Sequence, residues 1–126
     1  MFSLFSKKED TPVFNWKNII DQAELRELIS NSAFSRTPIL FFKHSSRCGI
    51  SRMVLSRFEK KYAQSLAEIP CYLINVIEQR DLSNFLSSHF DIIHESPQLL
   101  FVSGDKCIAN GSHNTILNLE LEALSL

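Results

Sequence analysis

The chemistry this chain could carry is concentrated in Arg47-Cys48-Gly49-Ile50-Ser51-Arg52. A cysteine attacks a disulfide as its thiolate. That form is favoured beside arginine or lysine, and at the start of a helix, where unpaired backbone N–H groups and the positive end of the helix dipole face the sulfur. Cys48 has Arg47 and Arg52 close in sequence and Lys43 five residues earlier, and a helical pattern begins where it ends. Ser51 takes the second place of a C-x-x-S spacing. A serine there can donate a hydrogen bond to a thiolate but cannot displace a captured thiol from a mixed disulfide. The spacing therefore predicts a monothiol mechanism, in which release waits for a second thiol from solution or from Cys71 or Cys107. The competing reading, a small residue that merely caps a helix, leaves the flanking charge and the serine without a role.

The elements that must position this stretch follow from periodicity. Thr37 to His44, opened by Pro38 and rich in apolar strand formers, predicts a central strand covered on both faces, ending four residues before Cys48. From Cys48 the period becomes helical, with Ile50, Met53, Val54, Phe58 and Tyr62 on one stripe and Arg52, Arg57, Lys60 and Lys61 mostly off it. Upstream, Val13 to Trp16 reads as a short strand, and a helix capped by Asp21 turns Leu25, Leu28 and Ile29 inward. Downstream come a buried strand from Cys71, a short helix from Asp81 to Phe90, a hairpin turned at Ser103 to Lys106, and a last helix over 114–124 with Leu117, Leu121 and Leu124 inward. Residues 1–12 read as a flexible N-terminal leader and 13–126 as one domain. Alternating strands and helices closed by a hairpin define an α/β, thioredoxin-like fold, a central mixed β-sheet flanked by helices on both faces. Cys48 then lies at the carboxyl end of a strand, where open α/β sheets hold their ligands.

In that frame Ser96-Pro97 stands where thioredoxin-like folds carry a cis-proline, an ordinary trans-proline opening a strand being the alternative; a cis bond would make the Ser96 backbone available to an extended substrate. His44, His94 and His113 are candidate proton carriers, whereas His89, next to Phe90 on a helix, is not. The four histidines lack metal-ligand spacing, so no metal is expected. Cys71 opens an apolar strand and Cys107 sits in the hairpin, so both are expected to be structural. The expected catalytic pair is Cys48 and Ser51, and the substrate-binding set is Lys43, His44, Arg47, Gly49, Arg52, His94, Ser96, Pro97 and His113.

Composition narrows the partners. With 44% apolar residues, ten of them phenylalanine, 126 residues can bury one substantial core. A net charge of -1 argues against nucleic acid or an anionic membrane as the main partner. The charge is uneven. Leu28 to Phe58 contains no Asp or Glu, while Arg36, Lys43, Arg47, Arg52 and Arg57 make a basic stretch around Cys48 that would attract anionic thiols. Three widely spaced cysteines suggest neither a disulfide scaffold nor a metal knuckle, and a reducing, cytoplasmic setting fits them. The opening apolar run is too short for a signal segment, and no stretch approaches the length of a membrane span.

These residues carry a resemblance. "W..I" at Trp16 to Ile19, "FKHSSRCGIS" at Phe42 to Ser51, "HESPQ" at His94 to Gln98 and "SHN" at Ser112 to Asn114 are similar to the monothiol bacilliredoxin family (YtxJ-like), small thioredoxin-fold proteins of the bacillithiol system. The resemblance implies that Cys48 attacks S-thiolated proteins and takes bacillithiol, or another low-molecular-weight thiol, onto itself, with that thiol as co-substrate and no bound cofactor. Gly49 departs from the proline of that family and leaves the helix start less rigid. It also brings "CGIS" close to the C-G-F-S of monothiol glutaredoxins, which hold a bridging [2Fe–2S] cluster with glutathione, but their late glycine-aspartate pair has no match in "CIANGSHNTIL". A third alternative is a non-enzymatic thioredoxin-fold interaction module. A brown, absorbing preparation made without oxygen would mark the cluster carrier, and a Cys48 thiol of ordinary acidity the module.

Overall fold

A strand of six buried residues, β2 (Ile39–His44), forms the middle of the sheet. The computed structural model describes residues 13–124, and the leader expected at residues 1–12 lies outside them. In chain order the remaining elements are β1 (Trp16–Lys17), α1 (Gln22–Ser35), α2 (Gly49–Tyr62), β3 (Cys71–Asn75), α3 (Arg80–Phe90), β4 (Gln98–Ser103) and β5 (Lys106–Ser112). Two 3-10 helices follow, His113–Asn118 and Leu121–Ala123. The sheet order is β1-β3-β2-β4-β5; β1, β3 and β2 are parallel, and β4 and β5 are antiparallel. The expected mixed sheet is therefore the one formed.

Strand alternation divides the core in two. Phe41, Leu100 and Val102 face α1 and α3 and meet Leu25, Ile29, Leu82 and Leu86. Leu40, Phe42, Leu99 and Phe101 face α2 and the 3-10 helices and meet Val54, Phe58, Tyr62, Ile116 and Leu121. Asp21 caps α1 by accepting a hydrogen bond from the Glu24 amide at 2.9 Å, while the Glu24 carboxylate accepts from the Ile20 amide at 2.6 Å, a reciprocal cap. The β4–β5 turn needs Gly104: its φ is +62°, and a Cβ there would lie 2.9 Å from Ala33 of α1.

Three expectations are corrected. The strand read at Val13 to Trp16 is only Trp16–Lys17, because just two residues pair with β3, and Phe14 instead packs its ring on Trp16 at 4.3 Å. On α2 the buried stripe is Ser51, Val54, Phe58 and Tyr62, with Ile50 and Met53 53% and 38% exposed. At 100° per residue the face through Ser51, Val54, Phe58 and Tyr62 is rotated away from Ile50 and Met53, which share the first turn with Ser51 and Val54 but point off the core. The single last helix is instead two 3-10 segments. The Leu117 and Leu119 carbonyls that an α-helix would use accept from Lys61 at 2.9 and 3.4 Å, and Leu119 also accepts from the Tyr62 hydroxyl. Leu121 is buried, and Leu117 and Leu124 are only partly so. Among the described residues no helix is long and apolar enough to cross a membrane.

Candidate active site

The loop between β2 and α2 presents Cys48 as the N-cap of a 14-residue helix, with extended backbone and no side-chain capping bond. The cap residue of a helix ordinarily spends its side chain on first-turn N–H groups. Here the sulfur does not, and α2 has no acidic residue in its first turn, so the positive end of the helix faces a partly exposed thiol. The loop itself is pinned. The Cys48 amide donates to the Ser45 carbonyl at 3.1 Å, and Arg52 folds back so that Nη1 donates to the Ser46 carbonyl at 2.9 Å. Arg47 is exposed, and Gly49 has room: a Cβ there would lie 3.8 Å from the Arg52 guanidinium, an ordinary contact.

Ser51, three residues into the helix region, is fully buried. Its hydroxyl accepts from the Ser45 amide at 3.0 Å and lies 2.7 Å from His44 Nδ1. The serine of the C-x-x-S thus ties the loop to the end of β2. His44 is held below the ordinary histidine range by burial and by the Arg52 charge, against an opposing pull from Glu59. The pair is therefore neutral at physiological pH.

Lys43 does not stand beside Cys48 as the sequence reading assumed. Adjacent strand residues point to opposite faces, so His44 goes to the α2 side and Lys43 is fully buried on the α3 side. There its Nζ donates to Ser87 Oγ at 2.8 Å and lies 3.4 Å from His94 Nδ1. His94, itself half-buried, likewise joins this cluster. The Ser96–Pro97 bond is cis, and Pro97 is buried immediately before β4. His113, with φ +53°, donates its amide to the Pro97 carbonyl at 3.0 Å, so the "HESPQ" and "SHN" segments meet at one point. Ser83 and Ser87 were not singled out from sequence; their place one helical turn apart on α3 is the signal that pairs them.

The other cysteines lie at the far end of the sheet. Cys71 is level with Leu40 in the β2–β3 ladder, and Cys107 with Val102, which pairs with Ile39. Burial pushes the Cys71 thiol up to about 12 and raises that of Cys107. Both match the structural role expected of them.

A thioredoxin-like sheet with one cysteine at the carboxyl end of its central strand and a serine in place of a second sulfur defines a thioredoxin-fold protein of the single-cysteine class. The fold is shared with thioredoxin O2 from Arabidopsis thaliana (17% identity, 88% of this chain and 95% of that one, TM-score 0.66). Thioredoxin from Trypanosoma brucei brucei is also similar (10% identity, 90% of each chain, TM-score 0.69). So is a thioredoxin-fold protein with a provisional oxidoreductase assignment (23% identity, 79% and 83%, TM-score 0.66). Residues 17–121 match the model of the family described as monothiol bacilliredoxin BrxC. The chain belongs to the monothiol bacilliredoxin family, which assigns it to thiol redox chemistry.

Proposed function

We propose that the protein is a monothiol thiol–disulfide oxidoreductase that removes bacillithiol, or another low-molecular-weight thiol, from protein mixed disulfides through Cys48. The observation that carries this reading is the placement of the three cysteines, one partly exposed at a helix start and two at the opposite end of the sheet. The Cys48 thiolate attacks the sulfur of the small thiol. The Cys48–thiol bond forms, the old S–S bond breaks, and the protein substrate leaves as a thiolate that takes a proton from solvent. A second small-molecule thiolate then attacks the new bond and frees Cys48. The second exchange releases the small-molecule disulfide, so the protein is reduced, two small thiols are oxidised to a disulfide, and the number of S–S bonds is unchanged.

Other residues support these steps by position. First-turn N–H groups of α2 stabilise negative sulfur, Ser51 and Arg52 hold the loop in shape, and exposed Arg47 attracts carboxylate-bearing thiols. The backbone of Ser96, on the segment that meets His113, is offered to the extended substrate. The partners are thus S-thiolated proteins and a low-molecular-weight thiol, in the cytoplasm.

Intact-mass spectrometry tests this. After incubation with oxidised bacillithiol and, separately, oxidised glutathione, the wild type should gain one thiol on Cys48, and Cys48→Ser should gain none. Transfer from a bacillithiolated protein to Cys48 completes the case. A wild type that takes up neither thiol overturns the reading.

A further inference from the structure

Lys43 is fully buried, and no step proposed for Cys48 uses it. Buried lysines are rare unless paired with an opposite charge, but the partners of this one are neutral. Its Nζ lies 2.8 Å from Ser87 Oγ and 3.4 Å from His94 Nδ1. An ammonium has hydrogens to offer and no lone pair, so His94 Nδ1 must present its own. Ser83 Oγ lies 3.1 Å from the same nitrogen, and Ser87, having accepted from Lys43, donates to the Ser83 carbonyl at 3.3 Å. The bonds share one consistent direction only when His94 is neutral and carries its proton on Nε2. Electrostatics agree: burial first, then Lys43 and Arg80, hold His94 below the ordinary range, against an opposing pull from Glu95.

The cluster grips the segment that leads to the site. Gln98, 2% exposed, pairs with Lys43 across the β2–β4 ladder, and its Nε2 donates to the Ile93 carbonyl at 2.8 Å, closing residues 93–98 into a loop. Lys43 holds that loop from the α3 side through His94, and His113 holds it from the other through Pro97. An apolar residue in place of a buried charge is often neutral or stabilising, so stability does not account for the lysine.

We propose that Lys43 is a positioning residue whose buried ammonium locks His94 in the neutral, Nε2-protonated form and so fixes the 93–97 segment against which a substrate disulfide lies beside Cys48. This rests on Cys48 being the thiol-transfer nucleophile. The lock has a defined pH range. Burial, then the Arg80 charge, bring Lys43 down to about 8. The groups around it are Arg80, Ser83 and Ser87 of α3, His94, and Gln98 of β4, with Glu95 acting on His94. Below that pH the donor-only ammonium enforces a bare Nδ1; above it the neutral amine offers a lone pair, and an Nδ1–H tautomer becomes allowed.

The test combines imidazole nitrogen NMR on the full chain with transfer kinetics. In the wild type, His94 should show a bare Nδ1 and protonated Nε2 at pH 7 and shift toward mixed tautomers as pH rises through about 8. In Lys43→Met the mixture should be present throughout. That variant should keep its Tm and the alkylation rate of Cys48 with a small neutral reagent, yet lose about tenfold in kcat/KM for thiol transfer, the scale of a small misplacement of substrate. His94→Phe should lose as much. His94→Asn places an amide oxygen where Nδ1 stood and should recover most of that loss. Protonated or freely averaging Nδ1 at pH 7, undiminished transfer by Lys43→Met, or a His94→Asn as impaired as His94→Phe overturns the proposal. Should Lys43→Met not fold, the wild-type shifts decide. Absence of transfer by the wild type would count against the Cys48 reading, and the His94 shifts would then judge the lock alone.

Discussion

Cys48 stands just before α2 and Cys71 at the first position of β3, so each adjoins the start of a regular element, yet the two thiols live in different chemical worlds. Cys48 is partly exposed and leaves its helix cap unused. Cys71 is 2% exposed, donates to the Ile69 carbonyl at 3.3 Å, and is held protonated by burial. Sheet polarity explains the difference. Chain entering β3 at its amino end is packed down by Leu66, Ile69 and the α2 face, whereas the carboxyl end of β2 opens into a loop and a helix start. From Leu40, the register partner of Cys71, to His44 the strand alone spans roughly 13 Å at about 3.3 Å per residue.

The largest effect expected from this contrast is in labelling. With an alkylating probe at pH 7, Cys48 should react at least about 10²-fold faster than Cys71, whose access requires local opening; peptide mapping over time reads the ratio, and comparable labelling would erase the contrast. Next, Ser51→Cys brings a second sulfur to the reactive end. The Cys48 mixed disulfide should then decay about tenfold faster, since thiol–disulfide exchange becomes intramolecular. An unchanged lifetime would mean that position 51 stays committed to His44 and Ser45. At the other end, Cys71→Ala should cost about 1–2 kcal/mol in denaturant unfolding without slowing transfer. The folded thiol lies at about 12 against an ordinary 9.0. Its contribution to stability is therefore complete below pH 9.0 and lost as pH rises towards 12. The deficit of Cys71→Ala should shrink across that window, and a deficit independent of pH would remove burial of the thiol as its cause. The smallest effect is that of Arg47→Gln, about two- to threefold slower reaction with an anionic disulfide than with a neutral one, fading near 1 M salt. Equal slowing for both substrates would limit Arg47 to acting on the thiolate.

Much of this was legible beforehand. The apolar run of β2, the C-x-x-S, the hairpin and the segment ending in Pro97 each carry a local signal, and together they place Cys48 at a strand–helix junction. Lys43 and His44 were not separable, because a strand's alternation says that neighbours part but not which face receives a polar partner. Ser87 supplies that partner to Lys43 from α3, 44 residues away in sequence, while Ser83 of the same helix lies against His94. Ile50 and Met53 were read onto the helical stripe because they are apolar, but the buried face runs through the polar Ser51 with Val54, Phe58 and Tyr62, and an apolar pattern does not reveal a buried serine. The last helix failed for a related reason: carbonyls it needed were taken by Lys61 and Tyr62 of α2, a tertiary competition that local propensity does not contain.

The position of Cys107, level with Cys71 near the amino end of β2, has a further consequence for how the protein behaves as a population. With neither spare sulfur near Cys48, a molecule acting by the proposed transfer would take up one equivalent of thiol and then stall. In a burst of mixed disulfides that outpaces the supply of free thiol, the loaded fraction would therefore rise in proportion to the number of substrates cleared, until every copy is occupied. On the proposed function, capacity in the burst would be set by copy number, and recovery afterwards by whatever external thiol empties the slot.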